Sequence, residues 1–214
     1  MNWFLTKLLT LPGIVVALSL HEFGHAKVAE LCGDDTAYRM GRVSLNPLDH
    51  IDPIGMLSLF LIGFGWGRPV VVNPTRFKKP RRDSIFVGLA GVGMNLVTAI
   101  VFAVIYRLVI QFGGAKFFFS NVGSIVAAVV QETVVINLSL MLFNLLPIPP
   151  LDGFGVLSDL IYLPRRNFNL YLWLRKNGYY ILLVCIFLRI PSIVLSGPLN
   201  AIYGAVIRLA FIGL

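Results

Sequence analysis

Long apolar runs limit most strongly what this chain can fold into. The three longest cover about residues 8–31, 84–110 and 122–146, and each exceeds the roughly 20 residues that a helix needs to cross a bilayer. Inside a membrane the backbone must satisfy its own hydrogen bonds, so such runs fold as helices. Only 13% of the residues are charged, against about a quarter in soluble domains. The sequence therefore predicts an all-α polytopic membrane protein.

Three shorter apolar runs complete the predicted architecture. Residues 54–66 are too few to span a bilayer, and their glycine-rich end leads into the β-branched residues 70–72. This pattern favours a re-entrant β-hairpin or strand pair over a spanning helix. Residues 178–188 and 198–214 are predicted as two further spans. We therefore expect about five transmembrane helices and one short re-entrant strand segment.

Lysine and arginine residues are distributed unevenly between the two sides that this topology predicts. If residues 54–66 enter the membrane and return, thirteen lie on one side and four on the other. The thirteen are Lys27, Arg39, Arg42, Arg68, Arg76, Lys78, Lys79, Arg81, Arg82, Arg165, Arg166, Arg175 and Lys176, and the four are Lys7, Arg107, Lys116 and Arg189. Cytoplasmic loops carry the excess of basic residues, so the basic side is predicted to be cytoplasmic. This asymmetry explains the net charge of +8 without a nucleic-acid partner.

His21, Glu22 and His25 form the pattern His-Glu-x-x-His inside the first apolar run. Residues four apart share one face of a helix, so the two imidazoles can bind one metal ion with Glu22 beside them. Ionisable residues within a membrane span are costly and usually functional. The pattern is typical of zinc proteases, in which it supplies two zinc ligands and a general base.

A third zinc ligand is required, because catalytic zinc sites have three protein ligands and an open position for water. Asp152 is the best-placed candidate: a proline-rich stretch ends the preceding helix, Gly153 permits a tight turn, and the predicted depth matches that of the histidines. Its carboxylate could instead cap a helix or pair with an arginine. The alternative donors that follow the first span are Asp49, His50 and Asp52.

Several segments of the chain together carry a resemblance to a known family. They are His21-Glu-Phe-Gly-His25, Asn46-Pro-Leu-Asp-His-Ile-Asp-Pro-Ile-Gly55, Gly65-Trp-Gly-Arg-Pro69, Val72-Asn-Pro74, Ala90-Gly91 with Asn95, and Asn144-Leu-Leu-Pro-Ile-Pro-Pro-Leu-Asp152-Gly153. Within about residues 11–158 the sequence resembles the site-2 protease family of intramembrane zinc metalloproteases, and most closely its compact prokaryotic branch without a PDZ domain. It departs from the family pattern at Val92, where Ala-Gly is usually followed by proline.

The resemblance implies that His21, His25 and Asp152 bind one Zn²⁺, that Glu22 is the general base and that Asn144 contacts the substrate or the developing oxyanion. It also implies a core of three spans around the metal with short strands beside it. We expect a single domain over residues 1–214, with a catalytic core at about 8–158 and accessory helices at about 177–214.

The implied activity is hydrolysis of peptide bonds in or near transmembrane segments of other membrane proteins, which is regulated intramembrane proteolysis. The expected location is the lipid bilayer of a prokaryotic cell membrane, with the active site near the cytoplasmic side. The alternative is a metal-binding membrane protein, such as a transporter or regulator, without protease activity. A transporter needs no general base and usually contains internal repeats, so Glu22 and the absence of repeats favour the protease. The sequence does not indicate an oligomeric state.

Two predicted roles have alternatives that the sequence leaves open. Val70 and Val72 could bind an unwound substrate by strand addition, or their segment could be a structural plug over the site. Asn95 could contact the substrate near the site, or it could serve small-residue packing between helices together with its neighbouring glycines.

Overall fold

The computed structural model of the chain describes residues 3–62 and 65–212. Within these residues the regular structure is helical, apart from one isolated β-bridge. The α-helices are α1 (Trp3–Leu31), α2 (Thr36–Arg39), α3 (Pro53–Ile62), α4 (Pro80–Phe118), α5 (Asn121–Asn144), α6 (Asp152–Leu160), α7 (Leu163–Arg166), α8 (Phe168–Phe187) and α9 (Ile190–Ala210). Single turns of 3₁₀-helix occur at Pro47–Asp49 and Pro74–Arg76.

Four of the described helices are long and apolar enough to cross a membrane, which confirms the all-α polytopic prediction. They are α1, α4, α5 and α9. Helix α8 covers the other predicted C-terminal span, but among the described helices it is not one of those that are long and apolar enough to cross a membrane. The charged residues Arg175 and Lys176 divide this helix, and the apolar stretch after them is too short to cross a bilayer.

Helices α1, α4 and α5 pack against one another and form the predicted three-helix core. The α1–α4 contact is close at Gly24, where an added Cβ would lie 2.9 Å from the carbonyl oxygen of Ala90. Small residues at such positions let membrane helices approach each other. Helix α9 covers the α4–α5 pair through an apolar cluster that includes Val134, Leu138 and Val206. The non-helical backbone of α4 is at Gly114, so the helix continues regularly through Val92.

The predicted β-hairpin is wrong for residues 53–62, which form helix α3. The Asp52 carboxylate accepts a hydrogen bond from the Gly55 N–H, and Pro53 has a backbone angle that suits the first turn. The following residues are mostly leucine, isoleucine and methionine, and leucine and methionine are strong helix formers. No strand occurs within residues 3–62 or 65–212, and residues 63–64 of the predicted hairpin lie outside the described ranges.

The chain nevertheless returns to the place where α3 began. Ile51 and Gly67 form an antiparallel bridge, and the Arg68 N–H donates to the His50 carbonyl over 2.8 Å. After the bridge the chain runs without helix to Asn73; residues 65–73 are called the front segment below. The Arg42 guanidinium donates to the Arg68 carbonyl, and the Asn73 N–H donates to the Asp34 carboxylate, each over 2.6 Å. These two contacts fix the front segment beside the end of α1.

Candidate metal centre

Three side chains from two helices converge at one point in the core. His21 and His25 lie one turn apart on α1, and Asp152 is the first residue of α6. The two Nε2 atoms are 3.0 Å apart, and each is 3.2 Å from Oδ2 of Asp152. Among the described residues, these three are the cluster of His, Cys, Asp or Glu side chains that could hold a metal ion. The structure thus brings together two elements that are more than a hundred residues apart in the sequence.

Hydrogen bonds on the far side of each ring determine where the histidine protons lie. Nδ1 of His25 is 2.7 Å from the Val87 carbonyl oxygen. A carbonyl oxygen can only accept, so this Nδ1 carries the proton. Nδ1 of His21 is 2.7 Å from Oδ1 of Asn95, which makes it a donor in the same way. In a neutral ring Nε2 then carries the lone pair, and the two Nε2 atoms face each other and Asp152.

This arrangement fits a bound cation. Two lone pairs that face each other over 3.0 Å repel unless a positive charge lies between them. Oδ2 of Asp152 is buried and has no hydrogen-bond partner in the described structure, and such a group is costly to bury. Two imidazole nitrogens with one carboxylate oxygen are a donor set of catalytic zinc sites. His21, His25 and Asp152 could therefore hold Zn²⁺.

Gly91 of α4 provides the space for the two imidazole rings. A Cβ at this position would lie 2.5 Å from Nε2 of His25 and 2.7 Å from Cε1 of His21. Both distances are well below van der Waals contact, so any side chain at this position would push the rings away. The Ala90-Gly91 pair of the sequence thus has a direct steric role at the site.

A cavity of about 850 Å³ opens in front of the three side chains. Glu22 lies in its wall, and Oε2 of Glu22 accepts a hydrogen bond of 2.9 Å from the Val70 N–H in the front segment. Val70 and Val72 also line the cavity, as does Asn144 at the end of α5. The Asn144 amide donates to the Leu140 carbonyl one turn earlier in its own helix. The wall also contains Arg81, Arg165 and Arg175.

Other sequence-predicted residues lie away from this cavity. Asn95 is fully buried behind His21 and is not part of the cavity wall, so its position corrects the expected substrate contact. His50 is also fully buried, and its Nε2 donates to the Ser44 carbonyl within its own loop. Asp52 accepts from the Gly55 N–H, and Asp49 ends a 3₁₀ turn. The described metal-binding cluster contains none of these alternative donors.

Sequence reasoning missed three groups that hold the site or its surroundings in place. The Val87 carbonyl holds His25, and no sequence pattern marks a backbone group. Asn137 contacts Asn95; a polar residue within an apolar run is a signal that could have indicated it. Arg42 holds the front segment through backbone carbonyls 26 and 27 residues away, and its own neighbours in the sequence do not indicate that contact.

The sequence is similar to known proteins over most of its length. Residues 9–187 match Peptidase family M50. A Bacillus subtilis (strain 168) protein named "Putative zinc metalloprotease YwhC" is 36% identical over 198 residues, which cover 92% of this chain and 88% of that protein. "Putative zinc metalloprotease Rip2" of Mycolicibacterium smegmatis is 32% identical over 71% of this chain and 56% of its own length. A Mycobacterium tuberculosis protein of the same name is 32% identical over 70% of this chain and 56% of its own length. No solved structure gives a significant match.

Proposed function

Because this chain belongs to peptidase family M50, the site-2 protease family of intramembrane zinc metalloproteases, we propose that His21, His25 and Asp152 bind its catalytic Zn²⁺ and that Glu22 is the general base. One observation carries the proposal: three donor atoms, two imidazole nitrogens and one carboxylate oxygen, converge within reach of one ion, and Glu22 lies beside the two histidines on the same helix. The protein is a hydrolase of peptide bonds. The geometry supports the assignment of these four residues to its active site.

Glu22 is positioned to manage the protons of hydrolysis. Zn²⁺, when bound, polarises the scissile carbonyl and acidifies a water molecule. The Glu22 carboxylate takes a proton from the attacking water as its oxygen bonds to the carbonyl carbon. The same carboxyl group then gives that proton to the leaving nitrogen as the C–N bond breaks. A carboxylate has about four acceptor positions, so the hydrogen bond from Val70 leaves capacity for the water.

Asn144 is proposed to stabilise the oxyanion that develops on the scissile carbonyl. Its amide lies in the wall of the same cavity as Glu22 and Asp152. The N–H groups that now bond within α5 would donate to the oxyanion when the substrate is present. Removing one oxyanion donor lowers kcat by roughly 10²–10³ in well-studied proteases. Asn144→Ala should therefore lower kcat by about this factor while Zn²⁺ affinity stays at the wild-type value.

The substrate is proposed to be a transmembrane segment that unwinds locally before it is cut. A helix closes its backbone by internal hydrogen bonds and shields its carbonyl groups, so the scissile bond must be extended. Val70 and Val72 line the cavity, while Val71 between them is 50% exposed. This alternation is that of an extended strand, and it supports strand addition between the front segment and the unwound substrate.

We propose that the active site faces the cytoplasm and that the protein lies in a prokaryotic cell membrane. The excess of Lys and Arg on the loops beside the cavity supports the cytoplasmic side, and the bacterial relatives support a prokaryotic membrane. In a variant without Cys32 and Cys185, Arg165→Cys should react with a membrane-impermeant maleimide only in inverted vesicles. Lys116→Cys should react only in intact cells stripped of their wall. The reverse pattern would place the active site on the outer side.

The deciding experiment compares two glutamates of α1. Purified protein in detergent is incubated with a panel of transmembrane peptides, with and without a chelator. Glu22→Gln should abolish cleavage, with kcat lower by at least about 10³ if both proton transfers are lost, and should still bind one Zn²⁺. Glu30→Gln makes the same chemical change two turns away and should cleave like the wild type. Full activity of Glu22→Gln, or cleavage that survives metal removal, would overturn the proposal.

A further inference from the structure

His21 is held from behind by a chain of side-chain amides. Oδ1 of Asn95 on α4 accepts from Nδ1 of His21 over 2.7 Å. Nδ2 of Asn95 donates to the Ala17 carbonyl of α1 over 3.0 Å and to Oδ1 of Asn137 over 3.1 Å. Nδ2 of Asn137 donates in turn to the Thr133 carbonyl of α5 over 2.8 Å. The hydrogen bonds thus connect all three helices of the core.

The direction of this chain is fixed at both ends by groups that can only accept. The Thr133 carbonyl requires an N–H from Asn137, so the Asn137 oxygen faces Asn95. The Ala17 carbonyl requires an N–H from Asn95. With both of its N–H groups engaged by acceptors, Asn95 can offer only its oxygen to His21. The His21 proton must then lie on Nδ1, and its Nε2 lone pair faces the metal position.

We propose that Asn95 and Asn137 are positioning residues for His21, which set its tautomer and ring orientation for metal binding. Both amides are fully buried, so no water competes for these hydrogen bonds and each unsatisfied group would be costly. Polar partners of a metal-binding histidine orient the ring and raise its basicity. This inference rests on the proposed function, since it takes His21 as a ligand.

The two histidines differ in how far their support extends. His25 bonds directly to the Val87 carbonyl, a backbone group of α4. His21 depends on two side chains that belong to α4 and α5. A substitution on α5, which supplies no metal donor in the described cluster, should therefore weaken metal binding. A role of Asn137 confined to helix packing gives no such effect.

The test measures Co²⁺ affinity by competition with a chelator, together with the visible absorption bands that report the geometry of the bound Co²⁺. Asn95→Leu should lower the affinity by about 10–100-fold, the usual cost of removing such a partner, and should alter the bands. Asn137→Leu should lower it by a smaller factor. Thr98→Val is the matched control: Thr98 is buried one turn from Asn95, and its hydroxyl donates only to the Met94 carbonyl. Thr98→Val should therefore bind Co²⁺ like the wild type.

Asn137→Asp keeps an acceptor oxygen for Asn95 and should bind Co²⁺ more tightly than Asn137→Leu. This pair decides the question even if Asn95→Leu fails to fold. Equal affinity and identical spectra for the two Asn137 variants, or an equal loss in Thr98→Val, would overturn the positioning role. His21→Ala separates the two proposals. If it binds Co²⁺ like the wild type, His21 is not a ligand and the positioning role fails with the ligand assignment. If it loses Co²⁺ while both Asn137 variants keep the wild-type affinity, the ligand assignment stands and only the positioning role fails.

Discussion

The wall behind the metal centre and the segment in front of it are built in different ways. The rear wall consists of the faces of α4 and α5 that carry Val87, Gly91, Asn95 and Asn137. Asn95 and Asn137 are fully buried and Val87 is 7% exposed. In the front segment every residue is at least partly exposed to the surroundings. The rear wall is tied to backbone carbonyls of the core helices. The front segment is attached through the Arg42, Asp34 and Glu22 side chains and through one backbone hydrogen bond, from the Arg68 N–H to the His50 carbonyl of a loop.

This difference matches two requirements of the proposed chemistry. Metal ligands must keep one geometry, and buried hydrogen bonds between packed helices provide it. A peptide must enter and leave, and exposed segments with few buried contacts open at low free-energy cost. The comparison predicts that substitutions in the rear wall mainly lower metal affinity. Substitutions that loosen the front segment should mainly weaken substrate binding.

Within this comparison, the largest effect is expected from adding one methyl group to the rear wall. Gly91→Ala would place its Cβ within 2.5 Å of Nε2 of His25, so the ligand ring itself must move. An overpacking cost of up to about 3 kcal/mol corresponds to about a 100-fold loss of Zn²⁺ affinity. Gly93→Ala is the control, because no atom lies within 4 Å of its added Cβ. Wild-type affinity in Gly91→Ala would show that the rear wall is not rigid.

A smaller effect is expected in the front segment. Arg42→Gln removes the charged donor that holds the Arg68 carbonyl over 2.6 Å. Hydrogen bonds to charged groups contribute roughly 1.5–3 kcal/mol, and part of this should appear as a KM for a transmembrane peptide that is about fivefold higher. Zn²⁺ affinity should not change. Arg39→Gln, which removes only a surface ion pair with Asp35, is the control. A parallel loss of Zn²⁺ in Arg42→Gln would mean that the two walls form one unit.

The smallest effect is the pH dependence of the stability that Asp34 provides, where its carboxylate holds Asn73 of the front segment. Burial raises the pKa of Asp34, but hydrogen bonds from Thr36 and the Asn73 N–H outweigh it and hold the pKa below its ordinary value. Asp34 therefore stabilises the fold above its unfolded pKa of about 3.9, and this contribution is lost as pH falls through the lower folded value.

In thermal unfolding of the detergent-solubilised protein, the Tm of Asp34→Asn should lie below that of the wild type at pH 6. The gap should narrow as the pH falls below about 4. Thr36→Val should reproduce part of the change, because it removes one of the donors. A gap that stays constant from pH 6 to pH 3 would contradict the assignment.

The sequence predicts the rear wall far better than the front segment. Apolar runs and the four-residue spacing of His21 and His25 are local signals. They predict the structure correctly because a helix is formed by residues close together in the sequence. Asp152 could be identified because proline-rich chain at the predicted depth follows α5. These signals are sufficient for the three-helix core and the candidate metal ligands.

Features that depend on packing between distant residues could not be derived. The wrong hairpin prediction has a local cause instead: the glycines beyond α3 dominate the pattern, whereas Asp52 and Pro53 start a helix. The sequence marks Asn95 as a polar residue in an apolar run, but its position behind His21 depends on how α1, α4 and α5 pack together. The hydrogen bond from Arg42 to the Arg68 carbonyl joins residues that are 26 positions apart in the sequence, so no local pattern indicates it.

The bridge between Ile51 and Gly67 has an evolutionary consequence. It closes a loop whose described part, α3 included, contributes neither a metal donor nor a wall of the catalytic cavity. The free-energy cost of closing such a loop grows only slowly with its length. Insertions or exchanges within it should therefore leave Val70 opposite Glu22. A lineage can therefore vary this loop while the candidate metal centre stays the same.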